Sequence, residues 1–280
     1  MRHRTHTHTS PAPSTSIPHG ATSPDAVSNA VSDAIIRVRD LTVRFGERTI
    51  FENISFDVPR GKVFVILGGS GCGKSTLLRT LTGLVTPVSG SIEYDGTEFL
   101  GSRDEARRAI LRKFGILFQS GGLFASMTLA ENVALPLQDA TSLSEERLGE
   151  IVAMKLASVG LQGFEAFLPA EISGGMKKRA GIARAMALDP EILFFDEPSA
   201  GLDPISSAAL DNLICELNTA LGTTMIVVTH ELQSIDDIAD EVIMLDRSAK
   251  GIIARGTLDE VKAITDDKRV YNFFHRIVEA

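Results

Sequence analysis

The chain has 280 residues, of which 44% are hydrophobic, and a formal net charge of −8; that is enough for one large core or two small ones and excludes fibrous and wholly disordered classes. The acidic balance argues against a nucleic-acid partner, because binding a phosphate backbone needs concentrated Lys and Arg. Cys72 and Cys215 stand in unrelated contexts with no metal or redox spacing, which suits free buried thiols in a reducing compartment.

Residues 1–33 are rich in Ser, Thr, Pro, Ala and His and nearly devoid of large apolar side chains. They cannot offset the entropy of ordering, so a disordered tail is predicted. His3, His6, His8 and His19 lack the Cys or carboxylate company of a metal site, and no apolar stretch follows Arg2 and Arg4 as a secretory signal requires. From Ile35 the pattern changes to alternation, and the runs at 35–38, 41–45 and 54–58 predict strands of an antiparallel layer. Residues 63–67 form a continuous apolar run ending in glycines, the pattern of a strand buried on both faces of a parallel sheet. Leu77, Leu78, Leu81 and Leu84 follow at helical spacing, so the glycine loop joins a strand to a helix.

Another strand is predicted over 115–118, leading into Gln119. From about 125 to 188 the strand pattern is lost and helices suit 145–159 and 177–188, which reads as a helical insertion. Buried strands return at 192–195, 225–228 and 242–245. An amphipathic helix carrying Leu210, Leu213, Ile214, Leu217 and Leu221 lies between the first two. Such alternation argues for a parallel α/β sheet, and no internal repeat is visible. No apolar run approaches the roughly 18 residues of a membrane span. Residues 271–274 are too apolar for a free tail and either cap the core or meet a partner.

Three segments and two single residues carry the chemistry. Gly68-Gly69-Ser70-Gly71-Cys72-Gly73-Lys74-Ser75-Thr76 fits G-x-x-x-x-G-K-[ST] between a strand and a helix. Its glycines let backbone N–H groups turn toward phosphate oxygens, and the helix start adds partial positive charge. Lys74 then reaches the β and γ phosphates, and the Ser75 hydroxyl suits Mg²⁺. The apolar strand at 192–195 ends in Asp196 and Glu197, which puts two carboxylates at the same sheet edge; Asp196 suits the metal shell and Glu197 the attacking water. Gln119 precedes a glycine-containing hinge, and its amide could reach Mg²⁺ or the water while the hinge moves. Ser173-Gly174-Gly175-Met176 opens a helix with a good N-cap and uncovered amides: either a simple cap or a second anion site. His230, at a strand end, is open between packing and function.

From about residue 35 to 265 the ordered set resembles an ATP-binding cassette (ABC) ATPase. The resemblance implies an α/β fold: a P-loop NTPase RecA-like core with an antiparallel β subdomain and an inserted α-helical subdomain. It implies an ABC domain over 34–265 and a C-terminal extension over 266–280. It makes Ser173-Gly174-Gly175 the signature segment that contacts the γ-phosphate held by a second protomer. Residues 199–203, with Asp203, become the loop across the dimer interface, and His230 the switch histidine on the γ-phosphate. Phe45 lies where the family stacks an aromatic ring on adenine, a core Phe being the competing reading. Two departures from the usual family pattern, Met176 for Gln and Phe45 for Tyr, remove no charge or phosphate contact. The implied ligands are ATP and Mg²⁺.

A finer resemblance, carried by residues 118–124, 131–137, 173–176 and 201–205, is to the ATPase subunit of Mla-type phospholipid transporters, also called toluene-tolerance or organic-solvent-resistance ATPases. That implies a homodimer on the cytoplasmic face of the inner membrane, peripheral to integral-membrane permease subunits, with a small regulatory subunit and a lipid-binding domain protein as further partners. Competing readings are an ATPase for a small polar solute such as an amino acid and a soluble ABC ATPase without a permease. Against the latter, there is no long heptad coiled coil, second cassette or basic face.

Overall fold

The structure, a computed structural model, describes residues 33–277. The expected tail lies outside the described residues except for Asp33, as do the last three residues of the expected C-terminal extension. Strands β1 (Ala34–Phe45) and β2 (Arg48–Pro59) form a hairpin, followed by β3 (Val63–Gly68), helix α1 (Lys74–Leu81), β4 (Ser89–Tyr94), β5 (Thr97–Glu98), α2 (Asp104–Leu111) and β6 (Phe114–Leu117). Helices α3 (Leu129–Ala140), α4 (Glu145–Ser158) and α5 (Gly174–Ala185) come next, with a 3₁₀ turn at Pro169–Glu171. The chain then runs through β7 (Ile192–Asp196), α6 (Pro204–Leu221), β8 (Thr224–Val228), α7 (Leu232–Ile238), β9 (Glu241–Asp246), β10 (Gly251–Thr257), α8 (Leu258–Lys262) and α9 (Lys268–His275).

The strands build a four-stranded sheet in the order β2-β1-β4-β5 and a six-stranded sheet in the order β10-β9-β3-β8-β7-β6. The first is antiparallel. In the second, β9, β3, β8, β7 and β6 run parallel, and β10 is an antiparallel edge. Every residue of β3 is buried, and successive side chains serve different cores, as the period of a strand requires. Val63, Val65 and Leu67 pack with Leu156, Ile182 and Ile214 on the helical side. Phe64 and Ile66 pack with Ile36, Leu77 and Ile92 on the side of α1 and the antiparallel sheet. At about 2 kcal/mol per buried large side chain these positions contribute roughly 10 kcal/mol, comparable to the net stability of a whole domain. The end of β3 is therefore firmly placed.

Several boundaries differ from the sequence reading, each for a local reason. The runs at 35–38 and 41–45 are one strand: the register shifts between Val38 and Leu41, and Asp40 takes φ 48° with its amide donating to the Ser55 hydroxyl, a bulge that resets the alternation. Leu84 does not line α1, which ends before Gly83, and it is exposed. Leu221 is likewise exposed, at the end of α6 where Gly222 (φ 64°) is the C-cap. Helix α5 starts at Gly174 rather than 177 because Ser173 caps it, accepting from the Met176 amide at 3.2 Å. Helix α3 has an interior Pro136, which masked it in sequence, but Thr128 and Glu131 form a capping box that fixes its start. Residues 271–274 lie on α9 and cap the core, with Phe273 and Phe274 packed against the helical side. Cys72 and Cys215 are free, the first buried and the second half-buried.

Between α6 and α7 one polar group is poorly served. Asp211 is buried; one carboxylate oxygen accepts from Ser234 Oγ at 2.8 Å and the other has no partner. Burial is the chief cause that pushes its carboxyl up to about 6. A carboxyl that holds its proton more tightly folded than unfolded favours the fold below about pH 4, and that stability is lost as pH rises through the folded value. Replacing Asp211 by Asn should remove this slope, raising stability at pH 7.5 by on the order of 2 kcal/mol and changing it little at pH 4, as read by urea melts at the two pH values.

Candidate functional site

The loop after β3 is shaped by close approach. Gly68 has φ 143°, and a Cβ there would lie 2.2 Å from the Leu245 carbonyl oxygen; at Gly73 (φ 110°) it would lie 2.7 Å from Ile50 Cγ2. By contrast, Gly69 and Gly71 face open space, and Ser70 is exposed. Gly73 is the N-cap of α1, without a side-chain cap and without an acidic residue in the first turn. The amides at the start of α1 and their partial positive charge are thus offered outward, the arrangement that binds anions. Beneath the loop, burial raises the Cys72 thiol above its usual value and makes it a packing group. Thr76 is half-buried, one step into α1 from Ser75.

Strands β7 and β8 deliver the remaining groups to the same sheet edge. Lys74, buried, donates to the carbonyls of Gly68 at 2.9 Å and Gly69 at 3.4 Å, and its ammonium lies 3.9 Å from Glu197. Ser75 Oγ donates to Asp196 Oδ1 at 2.8 Å. Glu197 has φ 50°, an uncommon conformation for a residue with a side chain, and its amide donates to the Val228 carbonyl at 2.8 Å. Its carboxylate oxygens are each 2.9 Å from His230 Nδ1. Lys74, Ser75, Asp196, Glu197 and His230 therefore form one connected cluster.

The other sequence-predicted residues lie around it. Gln119 stands exposed just beyond β6 and is held through its backbone, its carbonyl accepting from Lys178 at 2.6 Å. Phe45, at the end of β1, is 52% exposed, which excludes its reading as a core residue. Ser173 and Gly174 are exposed at the start of α5, with Gly175 half-buried beside them. Asp203 caps α6, accepting from the amides of Ile205 at 3.1 Å and Ser206 at 3.0 Å and from the Ser206 hydroxyl at 2.6 Å, bonds that lower its carboxyl below the usual range. Gly174 and Gly175 lie against Leu202 and Ser206, so the two helix starts adjoin. Among the described residues, no hydrogen bond or ion pair joins Ser173, Gly174, Gly175 or Asp203 to the Lys74 cluster.

Lys178 escaped the sequence reading. Its ammonium is buried and donates to the Glu197 carbonyl at 3.3 Å as well as to Gln119. Burial lowers it from the usual lysine value, with Glu197, Asp196 and Glu231 pulling the other way. In sequence it hides in Lys177-Lys178-Arg179, which reads as a solvated face. The available signal is helical spacing, since Lys178 lies four residues before the buried Ile182.

The sequence matches the family described as "ABC transporter" over residues 51–200. It is 42% identical over 245 residues to the intermembrane phospholipid transport system ATP-binding protein MlaF of Escherichia coli (strain K12), covering 88% of this chain and 90% of that protein. It is 43% identical over 240 residues to the probable ribonucleotide transport ATP-binding protein mkl of Mycobacterium tuberculosis (strain H37Rv), covering 86% of this chain and 66% of that protein. Among solved structures, it resembles the dimeric post-hydrolysis state of the ATP-binding cassette MJ0796 bound to ADP and Pi, with 28% identity, a TM-score of 0.72, and coverage of 80% of this chain and 98% of that one.

The crowding at Gly68 and the space at Gly69 make a paired test of the loop. Gly68→Ala should cost about 3 kcal/mol or more, because the methyl group meets backbone rather than a movable side chain. Gly69→Ala should change stability by less than about 1 kcal/mol. Thermal melts of the two variants beside the parent check both.

Proposed function

Because this chain belongs to the ABC transporter family and is an ATPase of that family, we propose that it powers phospholipid transport, working as a homodimer attached to separate membrane-spanning permease subunits. The observation that carries the catalytic part is the cluster in which Lys74, Ser75, Asp196, Glu197 and His230 meet at the ends of adjacent parallel strands. In this reading the outward amides from Gly69 to Ser75 receive the phosphates, Lys74 adds its point charge at the β and γ positions, and Phe45 stacks on adenine.

The donor set fits Mg²⁺: the Ser75 hydroxyl and the Asp196 carboxylate are hard oxygen donors 2.8 Å apart, and the Gln119 amide oxygen is the third candidate. When bound, the ion would neutralise charge on the phosphate oxygens. Glu197 accepts a proton from the water whose oxygen forms the new bond to the γ-phosphorus as the bond to ADP breaks. His230, against both Glu197 oxygens, fixes the direction of that carboxylate and borders the γ-phosphate position.

Ser173, Gly174, Gly175 and Asp203 share no bond with this cluster, which supports a second copy of the chain as the one that presents them. An isologous two-fold dimer would then build two equal sites from one interface. The dimeric cassette structure with ADP and Pi supports that arrangement. No helix among the described residues is long and apolar enough to cross a membrane, in keeping with a peripheral subunit on the cytoplasmic face of the inner membrane. A small regulatory subunit and a lipid-binding domain protein complete the proposed assembly. Phospholipid is favoured over other cargoes because the likeness to MlaF spans 90% of that protein, whereas the likeness to the mycobacterial ribonucleotide ATPase spans 66%.

Two experiments test this function. Glu197→Gln should lower steady-state ATP turnover by about a hundredfold or more while leaving an ATP-bound dimer on size exclusion; turnover at the parental rate would overturn the assignment. The complex purified with its native permease and placed in liposomes should couple ATP turnover to phospholipid movement. Coupling to ribonucleotides or amino acids instead, or recovery of the native protein free of any membrane subunit, would refute the proposed cargo or the proposed assembly respectively.

A further inference from the structure

Lys178 is a buried cation whose hydrogen-bond acceptors are backbone carbonyls: Gln119 at 2.6 Å and Glu197 at 3.3 Å. Burying an ammonium is costly unless strong acceptors hold it, and burial pulls this one down from its usual value. Its neighbours on α5 that are buried, Ala180, Gly181, Ile182 and Ala183, carry no polar side chain, so packing alone would be served by methionine. The location supplies a use. Glu197 carries a positive φ of 50°, a conformation that persists where the surroundings enforce it. Its amide is tied to Val228 at 2.8 Å and its carbonyl to Lys178, so the residue is held on both sides.

We propose that Lys178 is a positioning residue for ATP hydrolysis: its ammonium fixes the backbone of Glu197, and thereby the aim of the carboxylate, and ties the segment beginning at Gln119 to the same point. This rests on Glu197 being the group that accepts the proton from water. Lys178 makes no hydrogen bond to the phosphate loop or to Ser75 among the described residues, so its loss should be felt in turnover rather than in nucleotide affinity.

The test uses the full chain with Lys178→Met, which keeps the volume and removes the donors, and Lys178→Gln, which keeps N–H donors on a shorter arm, beside Glu197→Gln. Lys178→Met should lower kcat by about tenfold to a hundredfold, with KM for ATP and the Kd of a fluorescent ATP analogue within about threefold of the parent. Lys178→Gln should recover part of that loss. The proposal is overturned if Lys178→Met turns over within about twofold of the parent, if affinity falls in step with turnover, or if Lys178→Gln is no better than Lys178→Met. Should neither variant fold, Lys178 serves stability and the proposal is equally overturned. Wild-type turnover by Glu197→Gln would instead overturn the underlying role of Glu197, a separate result.

Discussion

Val63, Val65 and Leu67 face one core and Phe64 and Ile66 the other, so β3 has no surface of its own. A strand held on both faces cannot slide without emptying two cores, and the loop that leaves it inherits that fixity. The close approach of Gly68 to the Leu245 carbonyl extends the same constraint to the loop's first residue. From there the direction of α1 is set, and with it where Lys74 and Ser75 stand relative to the ends of β7 and β8.

Charge at this edge is arranged by compensation rather than by excess. Lys74 and Lys178 are buried, as are Asp196 and Glu197, in a chain whose overall balance is acidic. Lys74 faces carbonyls and a carboxylate at 3.9 Å, whereas Lys178 has only carbonyls for hydrogen-bond acceptors and feels its acids at a distance. Removing one member of such a set leaves another charge buried without its counterpart, which is why the groups are best regarded as a unit.

The parts of the fold most legible in sequence were those where one signal dominated. A fully apolar run ending in glycines announced β3, and an apolar run ending in two acids announced β7, because burial on both faces leaves no room for alternation. Other signals were weaker or conflicting. The bulge at Asp40 divided β1 into two apparent strands, and Pro136 spoke against α3 more loudly than Thr128 and Glu131 spoke for it. The short elements β4, β5 and α2 bury few residues and so leave little pattern. At the site, residues whose chemistry lies in their type, such as Lys74, Asp196 and Glu197, could be named from order and spacing alone. Lys178 could not, since its importance comes from which carbonyls surround it, and those lie just beyond the ends of β6 and β7, 59 and 19 residues away along the chain.

The two-sided strand also separates what may drift from what may not. Ile182, Leu156 and Ile214 share a core with one set of β3 side chains, while Ile36, Leu77 and Ile92 share a core with the other. Substitutions on opposite sides of the sheet are distant and share few partners, so their effects add rather than compound. Natural variation can therefore reshape the helical side to suit a different neighbour without renegotiating the packing beneath the glycine loop. The sheet acts as a party wall: two households, each free to refurnish, and one structure that neither can move.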